Sequence, residues 1–330
     1  MFDLYAVGNA LVDLEFSVSD AQLGELSIEK ARMTLIDGER RLALLHALDD
    51  KTPRRTGGGS AGNTAVAMQQ LGAQTYYSCR VADDGFGRFY AEDLHSHGVH
   101  SNVHTVRSEG HTGTCLVMIT PDAERTMSTH LGVSAEINAS ELNPQAISES
   151  RLYYMEGYLA ASPTGLVAAL EGRALAKAVG AQTALTLSDV SMIQFCRQGL
   201  EAMLGQDLDI LFANEDEIKA WFDNDDLEVL LPQAATLAQT VCVTLGAQGC
   251  VVLSNGEQLR VAAPAVKPVD TNGAGDMFAG AFLYALSTGA GLVRAAQLAT
   301  LAASTCVAQQ GNRMSTEALQ QIKNQWLAQV

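Results

Sequence analysis

The stretch Asp270-Thr271-Asn272-Gly273-Ala274-Gly275-Asp276 runs straight into Met277-Phe278-Ala279-Gly280-Ala281-Phe282-Leu283-Tyr284-Ala285-Leu286. Two glycines around one alanine let the backbone turn sharply and let its N–H groups converge. The small, apolar run behind them reads as a buried helix. A glycine turn feeding a helix start is an anion site, because unpaired N–H groups and the positive end of the helix dipole meet there. Asp276 stands on its rim. A carboxylate is a poor ligand for an anion. It suits a group that takes the proton from a hydroxyl attacking phosphorus, and it equally suits a plain helix cap.

Other polar groups stand where chemistry is expected. Gly8-Asn9 with Asp13 follows a short apolar strand at Leu4–Gly8, and open α/β sheets bind ligands at such strand ends. Gly57-Gly58-Gly59-Ser60-Ala61-Gly62-Asn63 precedes a helical pattern ending at Gly72. Gly57, Gly59 and Gly62 match the spacing GxGxxG, with Asp83 further on. A dinucleotide fingerprint must follow a strand, however, and a charged, proline-bearing loop, Asp49 to Thr56, comes first. The better reading is a turn that lets a substrate lie against the backbone, with Asn63 offering an amide. Asn214-Glu215-Asp216-Glu217 opens a helix after a strand. It suits oxygen ligation of Mg²⁺, and it suits a capping box. His95, His97, His100 and His104 run from a helix end across Gly98 and do not share a face, so a solvated turn is expected rather than a metal site.

These groups need elements to hold them. From Leu152 onward strands and helices alternate through Phe222, which predicts a mostly parallel sheet with helices on both faces. Strands near 14–18 and 32–36, with a hairpin of His111–Thr120 and Glu124–Thr129 around Pro121-Asp122-Ala123, predict a small separate sheet. The net charge of −16, from 37 acids against 21 bases, disfavours nucleic acid and anionic membrane as partners. The six scattered cysteines form no CxxC pair and read as reduced thiols of a cytoplasmic protein. The start, Met1-Phe2-Asp3-Leu4-Tyr5, has no basic region and is not expected to be a signal peptide. No apolar run reaches the roughly 18 residues that a membrane helix needs.

Together these pieces resemble the ribokinase-like sugar and nucleoside kinases, the PfkB family, over nearly the whole chain. Asp270 to Asp276 and Gly58 to Asn63 carry the resemblance. Gly8-Asn9 with Asp13, Ala82 to Gly87, Asn214 with Glu217, and Thr244 with Gly246 support it. It implies a three-layer α/β/α fold, a doubly wound sheet with a β-sheet lid. The lid would be residues 14–44 and 106–129, and the large domain 1–13, 45–105 and 130–330. It implies ATP-dependent phosphorylation of a primary alcohol. Asp276 would be the base, and the N–H groups of Gly273, Ala274, Gly275 and Asp276 the anion hole. Asn9, Asp13, Gly58, Gly59 and Asn63 would bind the acceptor. Asn214, Thr244, Gly246 and Asn272 would lie along ATP, and Arg125 would add charge over its phosphates. Glu217 would order Mg²⁺ through water, and Asp270 with Ser315 would join a site for a monovalent cation such as K⁺.

Ser60 stands where ribokinases carry lysine, and Met155-Glu156-Gly157-Tyr158 looks closer to the adenosine kinases, with Tyr158 packing on a base. Gly62 departs from the glutamine of the animal enzymes. The expected acceptor is adenosine. A sugar such as ribose, fructose or ketodeoxygluconate is the alternative, and a non-catalytic nucleoside-binding regulator is the alternative of another class. Monomer and homodimer both fit a lid sheet with open edges.

Overall fold

The computed structural model describes residues 1–122 and 124–328; Ala123, the last residue of the expected hairpin turn, lies outside them. Among the described residues fourteen strands form two sheets. In chain order they are β1 (Phe2–Val7), β2 (Leu11–Ser17), β3 (Met33–Leu35), β4 (Arg54–Gly58), β5 (Thr75–Ser78), β6 (His100–Ser101) and β7 (Thr114–Ile119). There follow β8 (Arg125–His130), β9 (Ser150–Glu156), β10 (Gln182–Thr186), β11 (Ile210–Asn214), β12 (Thr240–Thr244), β13 (Cys250–Ser254) and β14 (Glu257–Val261). The large sheet has the order β14-β13-β12-β11-β10-β9-β1-β5-β6. It is parallel from β12 to β6, and β13 and β14 close it as an antiparallel edge.

The strands of this sheet are apolar on both faces, as a sheet covered twice by helices requires. Alternation along β1 shows it: Leu4 and Ala6 join one core, Tyr5 and Val7 the other. The first core packs against helices Ser60–Gln70, Ala274–Ser287, Leu292–Val307 and Thr316–Leu327. The second packs against Pro163–Ala178, Val190–Leu204, Glu215–Phe222 and Leu227–Ala234. Helix starts follow local chemistry. Ser162 caps the helix that opens on Pro163, its Oγ accepting from Gly165 N at 3.2 Å. The structure adds a helix at Leu227–Ala234 that holds Pro232 inside it. From β1 the chain fills one side of the sheet with β5 and β6, then crosses to β9 and fills the other. The order reverses between β1 and β9, and that crevice at the strands' C-terminal ends is where such sheets take ligands.

The small sheet has the order β3-β8-β7-β2-β4. Its β4 corrects the expected loop at Asp49–Thr56: Arg54 to Gly58 pair antiparallel with β2. An edge strand exposed on one side tolerates the polar residues that suggested a loop. The reason first given against a dinucleotide fingerprint fails with it, since a strand does precede Gly59. The sound reason is that β4 belongs to an antiparallel edge and not to a parallel βαβ unit. Register across this sheet aligns Thr56, Asp13, Cys115, Thr129 and Leu35 in one row on one face. Val12, Leu14, Phe16, Leu116 and Met118 on the opposite face join the core with Leu44 and Leu48, from the helix Gly38–Ala47 and its end.

Phe282 is fully buried between Phe212, at 5.7 Å between ring centroids, and Phe278, at 6.1 Å. Phe282→Ala should therefore lower unfolding stability by about 3–5 kcal/mol, read from urea midpoints. A loss below about 1 kcal/mol would mean that this helix does not anchor the first core.

Candidate active site

Gly273 starts the helix Ala274–Ser287 in the left-handed region, φ 75°. A Cβ there would lie 2.5 Å from Asn312 O, so the turn admits glycine alone. The first N–H groups of the helix have no intrahelical partner, and Gly275 faces open space. Asp276 sits in this first turn and does not cap it. Its Oδ1 accepts from Ser60 Oγ at 2.6 Å and its Oδ2 from Asn63 Nδ2 at 2.9 Å, both on the helix Ser60–Gln70. Burial pushes the Asp276 carboxyl up, against those two donors and the Arg313 charge. A half-buried carboxylate with a raised pKa, beside the N–H groups of a helix start, of which Ala274 N donates to Thr271 O at 3.3 Å, can take a proton from an acceptor while charge develops next to it.

The acceptor side is built from two turns that touch. Gly59, at φ 89°, precedes the helix Ser60–Gln70, and a Cβ on it would collide with Asn9 O. Glu156, at the end of β9, joins the turns: Asn9 N donates to its Oε1 and Ala61 N to its Oε2, each at 2.7 Å. Glu156 is fully buried, and burial pushes its carboxyl up to about 8. Tyr90 Oη donates to Gly58 O at 2.8 Å and fixes the middle of the turn. Asp13 is buried on β2 and accepts from Asn312 Nδ2 at 2.9 Å. Burial raises its carboxyl to about 7; Arg313 and Arg125 pull it down, and Glu15 and Asp276 push it up.

Sequence reasoning missed Glu156, Asn312 and Arg313 as site residues. Glu156 had a signal, a lone acid ending the apolar strand Leu152–Met155. The segment Gly311-Asn312-Arg313 had none of its own, because it follows the helix Leu292–Val307 as an ordinary loop; the family resemblance points to Gly311 there, beside Asp270 and Ser315 at the cation site. The three residues of the segment each bind a different site group. Gly311 N donates to Asp270 Oδ2 at 2.7 Å, Asn312 reaches Asp13, and Arg313 Nε donates to Asn63 Oδ1 at 2.9 Å.

The expected cation site at Asp270 and Ser315 has protein partners instead. Asp270 pairs with Arg125 Nη2 at 2.6 Å and accepts from Asn272 N at 3.1 Å. Ser315 Oγ caps the last helix through Ala318 N at 3.2 Å. Arg125 lies on β8 between Asp270 and Glu15, 3.6 Å away, so its charge is already matched.

The expected nucleotide groups line the C-terminal edge of the large sheet. Asn214 and Thr244 are register partners at the ends of β11 and β12, and a Cβ on Gly246 would meet open space. Asn214 and Glu217 form a capping box: Glu217 N donates to Asn214 Oδ1 at 2.8 Å and Asn214 N to Glu217 Oε2 at 3.0 Å. Asn214 Nδ2 reaches the other Glu217 oxygen at 2.9 Å. The pair has hard oxygen atoms but is no closed cage, and suits contact with Mg²⁺ through water. Among the described residues no three His, Cys, Asp or Glu side chains cluster for a metal. His104 Nε2 instead bonds Val99 O at 3.1 Å. Tyr158 points its hydroxyl at Ser188 O, 3.4 Å away, and packs against the second core.

The sequence and the fold match known proteins. The model of the pfkB family of carbohydrate kinases matches residues 29–319. The chain belongs to that family, and is an ATP-using phosphotransferase with an alcohol group as acceptor. A probable sugar kinase from Rhizobium etli CFN 42 superposes with a TM-score of 0.90 at 33% identity, over 98% of both chains. Adenosine kinase from Sinorhizobium meliloti gives 0.89, also at 33% identity, over 98% of this chain and 99% of that one. Adenosine kinase from Schizophyllum commune is 28% identical over 87% of this chain and 90% of its own. Among the described residues no helix is long and apolar enough to cross a membrane, and all six cysteines are free thiols.

Asp276→Asn should keep the fold and ATP binding while lowering kcat by roughly 10²–10⁴-fold, the range for a lost positioned base. Circular dichroism, nucleotide titration and initial rates check the three parts. Turnover near that of the unaltered chain would reduce Asp276 to a structural anchor for Ser60 and Asn63.

Proposed function

We propose that this kinase transfers the γ-phosphoryl group of ATP to the 5′-hydroxyl of a nucleoside, adenosine above all, giving AMP and ADP. The observation that carries the reading is the row on the small sheet. Beyond the Asp13 carboxylate it continues through Cys115 to Thr129 and Leu35, and these last two line a cavity of about 500 Å³. Gly132, Val133 and Ala135 line the same cavity. That volume is in the range of small-molecule sites. A carboxylate that can bind a vicinal diol, with such a space beyond it, suits ribose carrying a base and leaves bare ribose underfilled. Tyr158 does not line this cavity, and its hydroxyl is aimed at Ser188 O. The adenosine kinase from Sinorhizobium meliloti and the probable sugar kinase from Rhizobium etli stand at the same 33% identity, so the choice rests on the row and the cavity.

Asp13 would accept from the 2′- and 3′-hydroxyls, with charge-assisted strength. The diol would set the 5′-hydroxyl at Asp276, where it replaces Ser60 as donor to Oδ1. As the oxygen attacks, its proton passes to Asp276, the new O–P bond forms and the bond from γ-phosphorus to the ADP oxygen breaks. N–H groups of Gly273 to Asp276 would hold the charge on the transferring group. Asn214, Thr244, Gly246 and Asn272 would lie along ATP. Mg²⁺ neutralises phosphate charge when bound, and Glu217 would meet it through water. The small sheet would act as the lid that keeps water from competing as acceptor.

Loss of one bond to a buried carboxylate predicts that 2′-deoxyadenosine is worse in kcat/KM by roughly 5- to 150-fold. Free ribose should be poor at any concentration tested. Asp13 also sets a pH dependence. Protonation removes its charge, so kcat/KM for adenosine should fall as pH drops through about 7. In Asp13→Asn that contribution should vanish, and the deoxy analogue should lose less than adenosine. A panel of adenosine, 2′-deoxyadenosine, inosine, guanosine, ribose, fructose and ketodeoxygluconate checks the assignment. Ribose or fructose turned over as well as adenosine would make this a sugar kinase.

A further inference from the structure

Asn63 shares its amide between two groups. Its Nδ2 donates to Asp276 Oδ2 and its Oδ1 accepts from Arg313 Nε, each at 2.9 Å. An amide left to itself can turn over and present oxygen where nitrogen was, which would set an acceptor against the Asp276 carboxylate. The Arg313 donor forbids that orientation. Arg313 is in turn fixed by Asp93, on the helix Gly85–Ser96, through an ion pair to Nη1. Both side chains are mostly buried, at 9% and 16% exposure. Gly57 makes room for them, since a Cβ there would collide with Asp93 Oδ2 and crowd Arg313. Asp93, Arg313, Asn63 and Asp276 thus form one line across three helices and a loop.

We propose that Arg313 is a positioning residue for phosphoryl transfer, acting on Asp276 through the side-chain amide of Asn63. It rests on the nucleoside-kinase reading above and adds a residue to that machinery. The charges around Asp276 agree. Arg313 is the cation that faces it; Asp13 and Glu156 are its acidic neighbours, and Tyr154, Tyr158 and Cys306 its neutral titratable ones. Arg313 opposes the burial that raises the Asp276 carboxyl. Its removal should therefore move the acid limb of kcat to higher pH.

The test is a double-mutant cycle on the full chain with adenosine and MgATP, with Arg313→Met, Asn63→Ala and the pair. Arg313→Met should lower kcat by about 10- to 100-fold, the cost of a slightly misplaced group; KM for adenosine should stay close to that of the unaltered chain only at alkaline pH, and rise towards neutral pH because Arg313 also holds the Asp13 carboxyl down. The variant's acid limb should lie at higher pH. Added to Asn63→Ala, the same change should cost far less, because the residue it acts through is gone. Thermal melting shows whether each variant folds. Should the methionine variant not fold, Arg313→Lys keeps a cation for Asp93 without the Nε donor, and should still lose kcat while the acid limb stays put. Additive losses in the cycle, or variants with unchanged kcat and acid limb, overturn the assignment to Arg313. An unaltered chain that phosphorylates no nucleoside refutes the reading beneath it as well.

Discussion

Four carboxylates, Asp13, Glu156, Asp270 and Asp276, are taken largely out of water in one crevice. Charges so placed are costly unless each finds donors. Most of the local structure is the answer to that demand. Glu156 takes two backbone N–H groups, Asp270 takes Arg125 and two N–H groups, Asp13 takes Asn312, and Asp276 takes Ser60 and Asn63. These donors come from the turn after β1, from β8 of the small sheet, from the start of the helix Ser60–Gln70, from the turn before Gly273 and from the loop at 311–313. A molecule with net charge −16 places two mostly buried arginines, Arg125 and Arg313, where these acids are crowded.

Topology makes the crowding workable. The order of the large sheet reverses between β1 and β9, so Asn9 and Glu156 emerge side by side with nothing between their strands. Two left-handed glycines, Gly59 and Gly273, then turn the chain into helices whose starts face one another. Each is pressed against the backbone of a distant segment, Asn9 or Asn312. The anion site and the acceptor site are in this way halves of one packing problem.

Much of this was legible in the chain of letters. Asp270 to Asp276 announces its turn and helix because glycine spacing and apolar composition are local properties. The alternation after Leu152 announces the parallel sheet for the same reason. Boundaries and edges were less legible. Arg54 to Gly58 reads as a loop because an edge strand has no apolar face to reveal it, and its partner β2 lies some forty residues earlier. The bonds of Asn312 and Arg313 span hundreds of residues and follow no period, so no local pattern could have announced them. Asn214 and Glu217 show the reverse limit. Capping box and metal contact share the same letters, and the structure displays the capping box in full.

Ser60 and Asn63 together occupy both oxygens of Asp276. A carboxylate engaged on both sides is a weak activator of a passing water molecule. An alcohol held by a second, distant anchor can displace the serine, because it arrives already oriented; a water molecule has no such anchor. On the proposed reading, the hydrogen bond from Ser60 would act as a guard on ATP, biasing the site toward productive transfer and away from idle hydrolysis.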